Sequence, residues 1–409
     1  MSTSTTGPAP APAPAQPAGP VRRPLASRVP WTEVVTTLAA FVLAFLVGAV
    51  LMIVSDTEVR STFAYFFARP SDALGASWDK FSSAYAALFS GALGGYGPLT
   101  STTAQAAPLI CAGLGVGLAF RAGLFNIGAQ GQAILGAVAA AYLGFALHLP
   151  PVVHLVVAVV GGLVGGGIWG GIVGWLKARA GAHEVIVTIM MNYIAAGLLG
   201  YLLTTTAFQR PGRSDPISPV VDWNATFPRL EGGQLHLGFV VALLAAVGVW
   251  WLLDRSTTGF AIRAVGANPH AAATAGMSVA RTTVITMVAA GALAGLAGVQ
   301  NALGPSASGV PVPLSAGIVG SVGFDAITVA LLGRSRPVGI VLAGLLFGAL
   351  HAGGLAMQSV AQTPLTLTTA LQALIVLFVA APALIAKVLP FLRKRRLRPV
   401  GPAAEGGLA

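Results

Sequence analysis

The sequence predicts an all-α polytopic membrane protein with about ten transmembrane helices and both termini in the cytoplasm. Three observations carry that reading. Hydrophobic residues make up 55% of the 409 and charged residues only 9%, against roughly 25% charged in a soluble domain, too few to cover a soluble surface. Apolar runs of about 20 residues, each enough to cross the roughly 30 Å hydrocarbon layer, recur along the chain. The cations fall between those runs in a one-sided way, as cytoplasmic loops require. The alternating ten-residue segments of a transmembrane barrel are absent.

Taken in order, Met1 to Pro20 are Ala, Pro, Ser, Thr and Gly with almost nothing else, a composition that cannot form a packed core. Residues 1–30 therefore read as a disordered cytoplasmic tail. The first span, about Val34–Val54, is too long for a signal-peptide core and lacks a small-residue cleavage site. Further spans are expected near Leu99–Phe120, Ile127–Leu147, Val152–Leu176, Val185–Thr205 and Leu237–Leu253, then near Thr282–Ala302, Val338–Met357 and Leu367–Ile385. A weaker run, Ala316–Leu332, is broken by glycines and carries Asp325.

Charge decides that this run counts as a tenth span. With ten spans and an inner N-terminus, 17 of the 23 Lys and Arg fall on the cytoplasmic side. Without it, the Lys387–Arg398 cluster moves outside, against the positive-inside bias. The domain plan is thus a tail over 1–30, a transmembrane domain over 31–388 with a cytoplasmic loop at 254–281, and a basic tail over 389–409. The net charge of +11 is membrane topology and not a sign of nucleic acid. Two outer segments are long. Ser55–Pro98 is rich in aromatics and is expected at the headgroup level, and Thr206–His236 reads as an external loop.

Gly162, Gly166, Gly170 and Gly174 recur every four residues, a smooth stripe for close helix packing. Asn126, Gln130 and Gln132 open the third span with amides, which suit a neutral polar solute and equally suit interhelical glue. Glu184, Thr188 and Asn192 share one helix face, and Asn192 lies roughly 12 Å deeper than Glu184, so Thr188 and Asn192 join the candidate solute pathway. Asp325 is the one acid well inside an apolar run, a functional candidate by default, with a helix N-cap or an arginine partner as the structural alternative.

Absences narrow the class. His183-Glu184 begins a zinc-protease pattern, but Val187 holds the second histidine position. No metal site is expected, and Cys111, the single cysteine, reads as a core residue. No lysine follows a glycine, so the chain has no phosphate-binding loop of the G-x-x-x-x-G-K type. Neither catalysis nor a cofactor is expected on this chain. The scarcity of intramembrane charge also disfavours a proton-coupled carrier.

Four collinear segments carry a family resemblance: Gly123-Leu-Phe-Asn-Ile-Gly-Ala-Gln-Gly-Gln132, Glu184-Val-Ile-Val-Thr-Ile-Met-Met-Asn-Tyr193, Gly259-Phe-Ala-Ile-Arg-Ala-Val-Gly-Ala-Asn268, and Gly323-Phe-Asp-Ala-Ile-Thr-Val-Ala-Leu-Leu-Gly333. Together they resemble the permease subunits of bacterial nucleoside and simple-sugar ABC importers. One departure is Gln130, where that family usually has an acid. The resemblance implies a plasma-membrane permease driven by separate ATPase subunits, which hold ATP and Mg. It also implies an extracellular substrate-binding lipoprotein and a second permease. The chain's length favours a heterodimer with a shorter paralogue. The cargo expected is a nucleoside, with ribose or another simple sugar as alternative. It further implies that 254–281 docks the ATPase through a coupling helix at about Pro269–Met277. Asn268 would be its N-cap, Pro269 its first residue and Gly276 its terminator. Gly259, Arg263, Gly266, Ala271 and Ala272 complete the matched coupling segment, with Arg263 free to meet acids on the partner.

Overall fold

A computed structural model of the chain describes residues 31–230 and 233–380. The expected tails over 1–30 and 389–409, the Lys387–Arg398 cluster and the last residues of the final span lie outside the described residues. The helices are α1 (Trp31–Ser55), α2 (Thr57–Phe63), α3 (Pro70–Leu93), α4 (Tyr96–Arg121), α5 (Ala129–Ala146), α6 (Pro151–Ala180) and α7 (Glu184–Leu202). They continue with α8 (Leu237–Arg255), α9 (Thr257–Ala267), α10 (Pro269–Thr274), α11 (Val279–Leu303), α12 (Val322–Leu332), α13 (Pro337–Ala361) and α14 (Leu365–Ala380). Two short strands, β1 (Ile217–Val220) and β2 (Pro313–Ser315), pair antiparallel.

Among the described residues, eight helices are long and apolar enough to cross a membrane, and α12 and α14 are shorter apolar helices. This is an all-α, multi-pass membrane protein. The run Ala316–Leu332 is helical only from Val322. Its 11 residues reach about 16 Å, half of the layer; β2 and turns occupy the stretch before it.

Helices in lipid gain little from the hydrophobic effect against one another, so packing contact must hold them. The core shows this. α4 and α11 are buried along most of their length and are lined by Ala and Gly. The glycine stripe of α6 lies on α11. A Cβ on Gly166 would overlap the Gly291 carbonyl oxygen and stand 2.5 Å from Gly295 Cα, and one on Gly170 would stand 2.9 Å from Gly291 Cα. A second cluster joins α1, α3 and α14 through Ala44, Met52, Ala84, Leu88, Leu371 and Ile375.

That cluster corrects the expectation that Ser55–Pro98 lies at the headgroups. The second half of α3 packs into the bundle, where Leu88 meets Gly353 and Gly91 meets Ala356 of α13. Ala84, Ala87 and Ala92, with Leu88 among them, form a buried apolar stripe at helical spacing, which the aromatic count obscured. Lys80 fixes this unit. Its ammonium bonds Asp56 at 2.7 Å and the Ala361 carbonyl at 3.0 Å, and that hydrogen bond holds the Asp56 carboxyl below its ordinary range.

The described residues of the 206–236 segment form a folded cap. Ser218 Oγ accepts from Leu314 N–H, Phe227 N–H donates to the Leu303 carbonyl at 2.9 Å, and Arg229 donates to the Ser306 and Ala307 carbonyls. His236 precedes α8, buried and stacked on Phe227 with ring centroids 5.8 Å apart. Burial, and then the nearby Arg229, push its pKa down to about 4. The unfolded imidazole titrates near 6.5 and takes up protons that the folded one refuses. The contribution is therefore complete above about pH 6.5 and lost as pH falls toward about 4. It is worth on the order of 3 kcal/mol. Thermal unfolding of the detergent-purified protein should drop over that window, and His236→Gln should flatten the drop; an unchanged pH profile in the variant would count against this assignment.

Candidate functional site

The site begins where α4 ends. Gly123 takes φ +71°, a left-handed turn that suits glycine, and the chain then crosses 124–128 without helix before α5 starts. Such a break inside a membrane bundle leaves backbone groups that must be satisfied by the protein. The amides do this. Asn126 and Gln132 exchange two hydrogen bonds, of 3.0 and 3.2 Å, and Asn126 Oδ1 also accepts from Gly128 N–H at 3.0 Å. Asn192 reaches across from α7, accepting from Gly131 N–H at 2.8 Å and donating to the Ile127 carbonyl at 3.0 Å. Thr188 is buried one turn earlier, its methyl and Cβ against Gly128 and its hydroxyl on the Val185 carbonyl.

Asn126, Gln132, Thr188 and Asn192 are thus brought together and buried, the three amides bonded to one another or to backbone at the break and the start of α5, and Thr188 packed on Gly128. Asn192→Ala leaves the Gly131 N–H and the Ile127 carbonyl unpaired, at about 1–3 kcal/mol for each buried group. The expected result is a lower unfolding temperature together with reduced transport. Restoration of both by Asn192→Asp would weigh against it, since a carboxylate cannot donate to Ile127.

Gln130 stands apart from that cluster and is half-buried. Its Nε2 donates to the Gly320 carbonyl at 2.6 Å and its Oε1 accepts from Gly323 N–H at 2.8 Å. A carboxylate could make the second bond but not the first, so the amide at this position latches the start of α12 in a way an ionised acid could not. Asp325 follows in the first turn of α12, its Oδ2 accepting from Ser321 Oγ at 2.7 Å.

At the end of the bundle that carries Arg121, Lys177 and Arg255, the 254–281 stretch forms two helices where the sequence suggests one. Ser256 caps α9, accepting from Gly259 N–H at 2.9 Å. Gly259 lies against the Leu252 carbonyl and Gly266 against that of Arg121, both too close for any side chain. Ile262 and Val265 are buried, so α9 is seated firmly. Arg263 faces Asp254 at 4.0 Å. α10 begins at Pro269, and Asn268 Oδ1 accepts from His270 and Ala271 N–H. Gly276 at φ +83° follows its end, with Met277 N–H returning to the Ala272 carbonyl. Only Ala272 of α10 is buried; Ala271 and the rest stand in the open.

Sequence reasoning missed Gln300, buried in α11 and donating to the Gly238 carbonyl at 2.8 Å. A glutamine inside the apolar run Thr282–Ala302 was the available signal. No cluster of metal-ligating side chains occurs among the described residues.

Residues 99–380 match the family described as the branched-chain amino acid transport system / permease component. The guanosine ABC transporter permease protein of Bacillus subtilis is 38% identical over 366 residues, which cover 89% of this chain and 98% of that protein. The nucleoside ABC transporter permease protein of Lactococcus lactis is 34% identical over 88% of this chain and 93% of its own length. The glucose ABC transporter permease protein of Haloferax volcanii is 34% identical over 72% of this chain and 79% of its own. No solved structure matches.

Proposed function

Because the chain belongs to the branched-chain amino acid transport system / permease component family, we propose that it is the permease subunit of an ATP-driven importer whose cargo is a nucleoside. A permease of this family is a multi-pass plasma-membrane protein that works with an ATPase and a substrate-binding protein. It is not itself the enzyme. The observation that carries the cargo is the similarity, from end to end, to a guanosine permease. The glucose permease match covers less of both chains, which makes a simple sugar the second reading.

In this reading α10 enters the ATPase surface, and α9 passes its movement to the α4–α5 break through Gly266 and Gly123. Gln130 and Asp325 lie on the solute path, which Asn126, Gln132, Thr188 and Asn192 hold in shape from behind. The second permease is a shorter paralogue; in support, the family match begins at residue 99, after α1–α3. ATP and Mg belong to the ATPase.

The test is uptake by inverted and right-side-out vesicles carrying this chain with its ATPase, paralogue and binding lipoprotein. Labelled guanosine should enter only with ATP, and unlabelled nucleosides should compete where ribose and glucose do not. Sugar uptake in place of nucleoside uptake would transfer the assignment to the second reading. Uptake driven by a proton gradient with this chain alone would overturn both, and an active importer built on two copies of this chain would remove the paralogue.

A further inference from the structure

Because α12 spans only half of the layer, it leaves the neighbouring face of α13 uncovered beyond its first turn. His351, Leu355 and Gln358 are exposed there, at spacings of four and three residues that place them on one side of the helix. The opposite exposed face of α13 carries Val338 and Leu342 and is apolar, as contact with lipid tails demands. His351 is not near an end. It is the fifteenth of the 25 residues of α13, about 21 Å from the start and about 15 Å from the finish, deep inside a roughly 30 Å layer. An ionisable side chain at such depth faces a bundle interior or a water-filled path, because exposure to hydrocarbon is costly.

His351 is not alone. α12 packs against α13, and in its first turn it carries the Asp325 carboxylate, bonded to the exposed Ser321. Phe324, beside it, is half exposed. A half-buried carboxylate, an exposed imidazole and a half-exposed aromatic ring thus stand on two packed helices around the open start of α12.

We infer that Phe324, Asp325 and His351 form the surface on which the solute rests as it passes this subunit, and that the solute is a nucleoside. The second half rests on the function proposed above. A carboxylate accepts hydrogen bonds from the vicinal hydroxyls of a ribose, an imidazole bonds the polar edge of a base, and a phenyl ring stacks on its face, an interaction open to every base. A sugar would use the carboxylate and leave Phe324 without a purpose. Gln130 ties this surface to the rest of the machine, since it holds Gly320 and Gly323 at the start of α12 and is followed directly by Gly131, the residue bonded to Asn192.

Cys111 is the only cysteine and is fully buried, so Cys111→Ser gives a clean background for thiol labelling. In the complete importer, His351→Cys and Leu342→Cys are each exposed to a charged, water-soluble methanethiosulfonate. The thiol at position 351 should react at least tenfold faster than that at 342, and guanosine with the binding protein should slow it. Phe324→Ala and Asp325→Asn should each lower guanosine uptake at least tenfold while the importer still assembles. Equal rates at the two positions would overturn the solute-facing surface. So would labelling at 351 in the isolated chain that vanishes in the assembled importer, which would make the patch a contact between subunits. Fast labelling at 351 that is slowed by ribose or glucose and not by any nucleoside would keep the surface and overturn the nucleoside.

Discussion

Gly166→Leu should all but eliminate folded protein, with at least a tenfold loss of the monodisperse species in detergent extracts. The reason is that α6 and α11 meet backbone to backbone. A Cβ on Gly166 would overlap the Gly291 carbonyl oxygen and stand 2.5 Å from Gly295 Cα, while one on Gly295 would stand 2.9 Å from Gly166 Cα. No flexible side chain is available to move aside, so the two helices must separate. Extra methylenes in a packed core cost about 1–3 kcal/mol where side chains can shift, and here a four-carbon side chain meets main chain. Separation would also loosen α5, because Gly136 lies against Gly295 and Gly298 against the Ala133 carbonyl. The control is Gly197→Leu. Gly197 has nothing within 4 Å of its Cβ position, so that chain should accumulate within twofold of the parent. Normal recovery of Gly166→Leu, measured by fluorescence-detected size exclusion, would mean that the two helices are not in contact.

That stripe was legible in the sequence, as were the long spans and the caps of α10, because each is a local pattern. Gly162 to Gly174 announce close packing by period alone, and Asn268-Pro269 announces a helix start by the chemistry of its own backbone. The features that escaped are those decided at long range. Asn192 and Ile127 are 65 residues apart and Gln130 and Gly323 are 193 apart, so nothing local says whether these amides serve a solute or the backbone of the break. In the structure Asn126 and Asn192 bond the backbone of the α4–α5 break and its surroundings, and Gln132 bonds Asn126. The same distance hid the cap at the other end of the bundle, where Ser218 meets Leu314. Hydropathy overstated the helix at 316–332 because it registers apolar content and not the turns set by Gly317 and Gly320. It understated α3, which meets α13 through small residues while its aromatics Tyr85 and Phe89 pack on Phe45 of α1. Asp325 stands out in the sequence as an acid in an apolar run, whereas His351 was passed over, since a single histidine in an apolar run draws notice only when the short α12 leaves it exposed.

Gly266→Val should disconnect ATP hydrolysis from transport. Gly266 sits at the far end of α9 from the membrane span, with its α-carbon against the Arg121 carbonyl, and a Cβ there would stand 2.9 Å from the Ala122 carbonyl carbon. Gly123 answers it from the other side, its Cβ position 3.4 Å from Gly266 Cα. The Arg121 side chain extends the joint by donating to the Ser335 carbonyl at 2.9 Å. One small contact thus gathers the ends of α4, α9 and the turn after α12, which are the parts that must move together if a push on α10 is to reach the break at 124–128. A valine would force them apart without touching α10, whose own cap at Asn268 and exposed face at Ala271 stay as they are. The expected outcome is an importer that still purifies with its ATPase, hydrolyses ATP without stimulation by loaded binding protein, and takes up nucleoside at least tenfold more slowly. Gly276→Ala should act in the same direction but less, since it strains a left-handed turn by about 1–2 kcal/mol in open space. Retention of stimulated hydrolysis and normal uptake by Gly266→Val would show that force reaches the membrane by some route other than this joint, and would leave α9 a passive support.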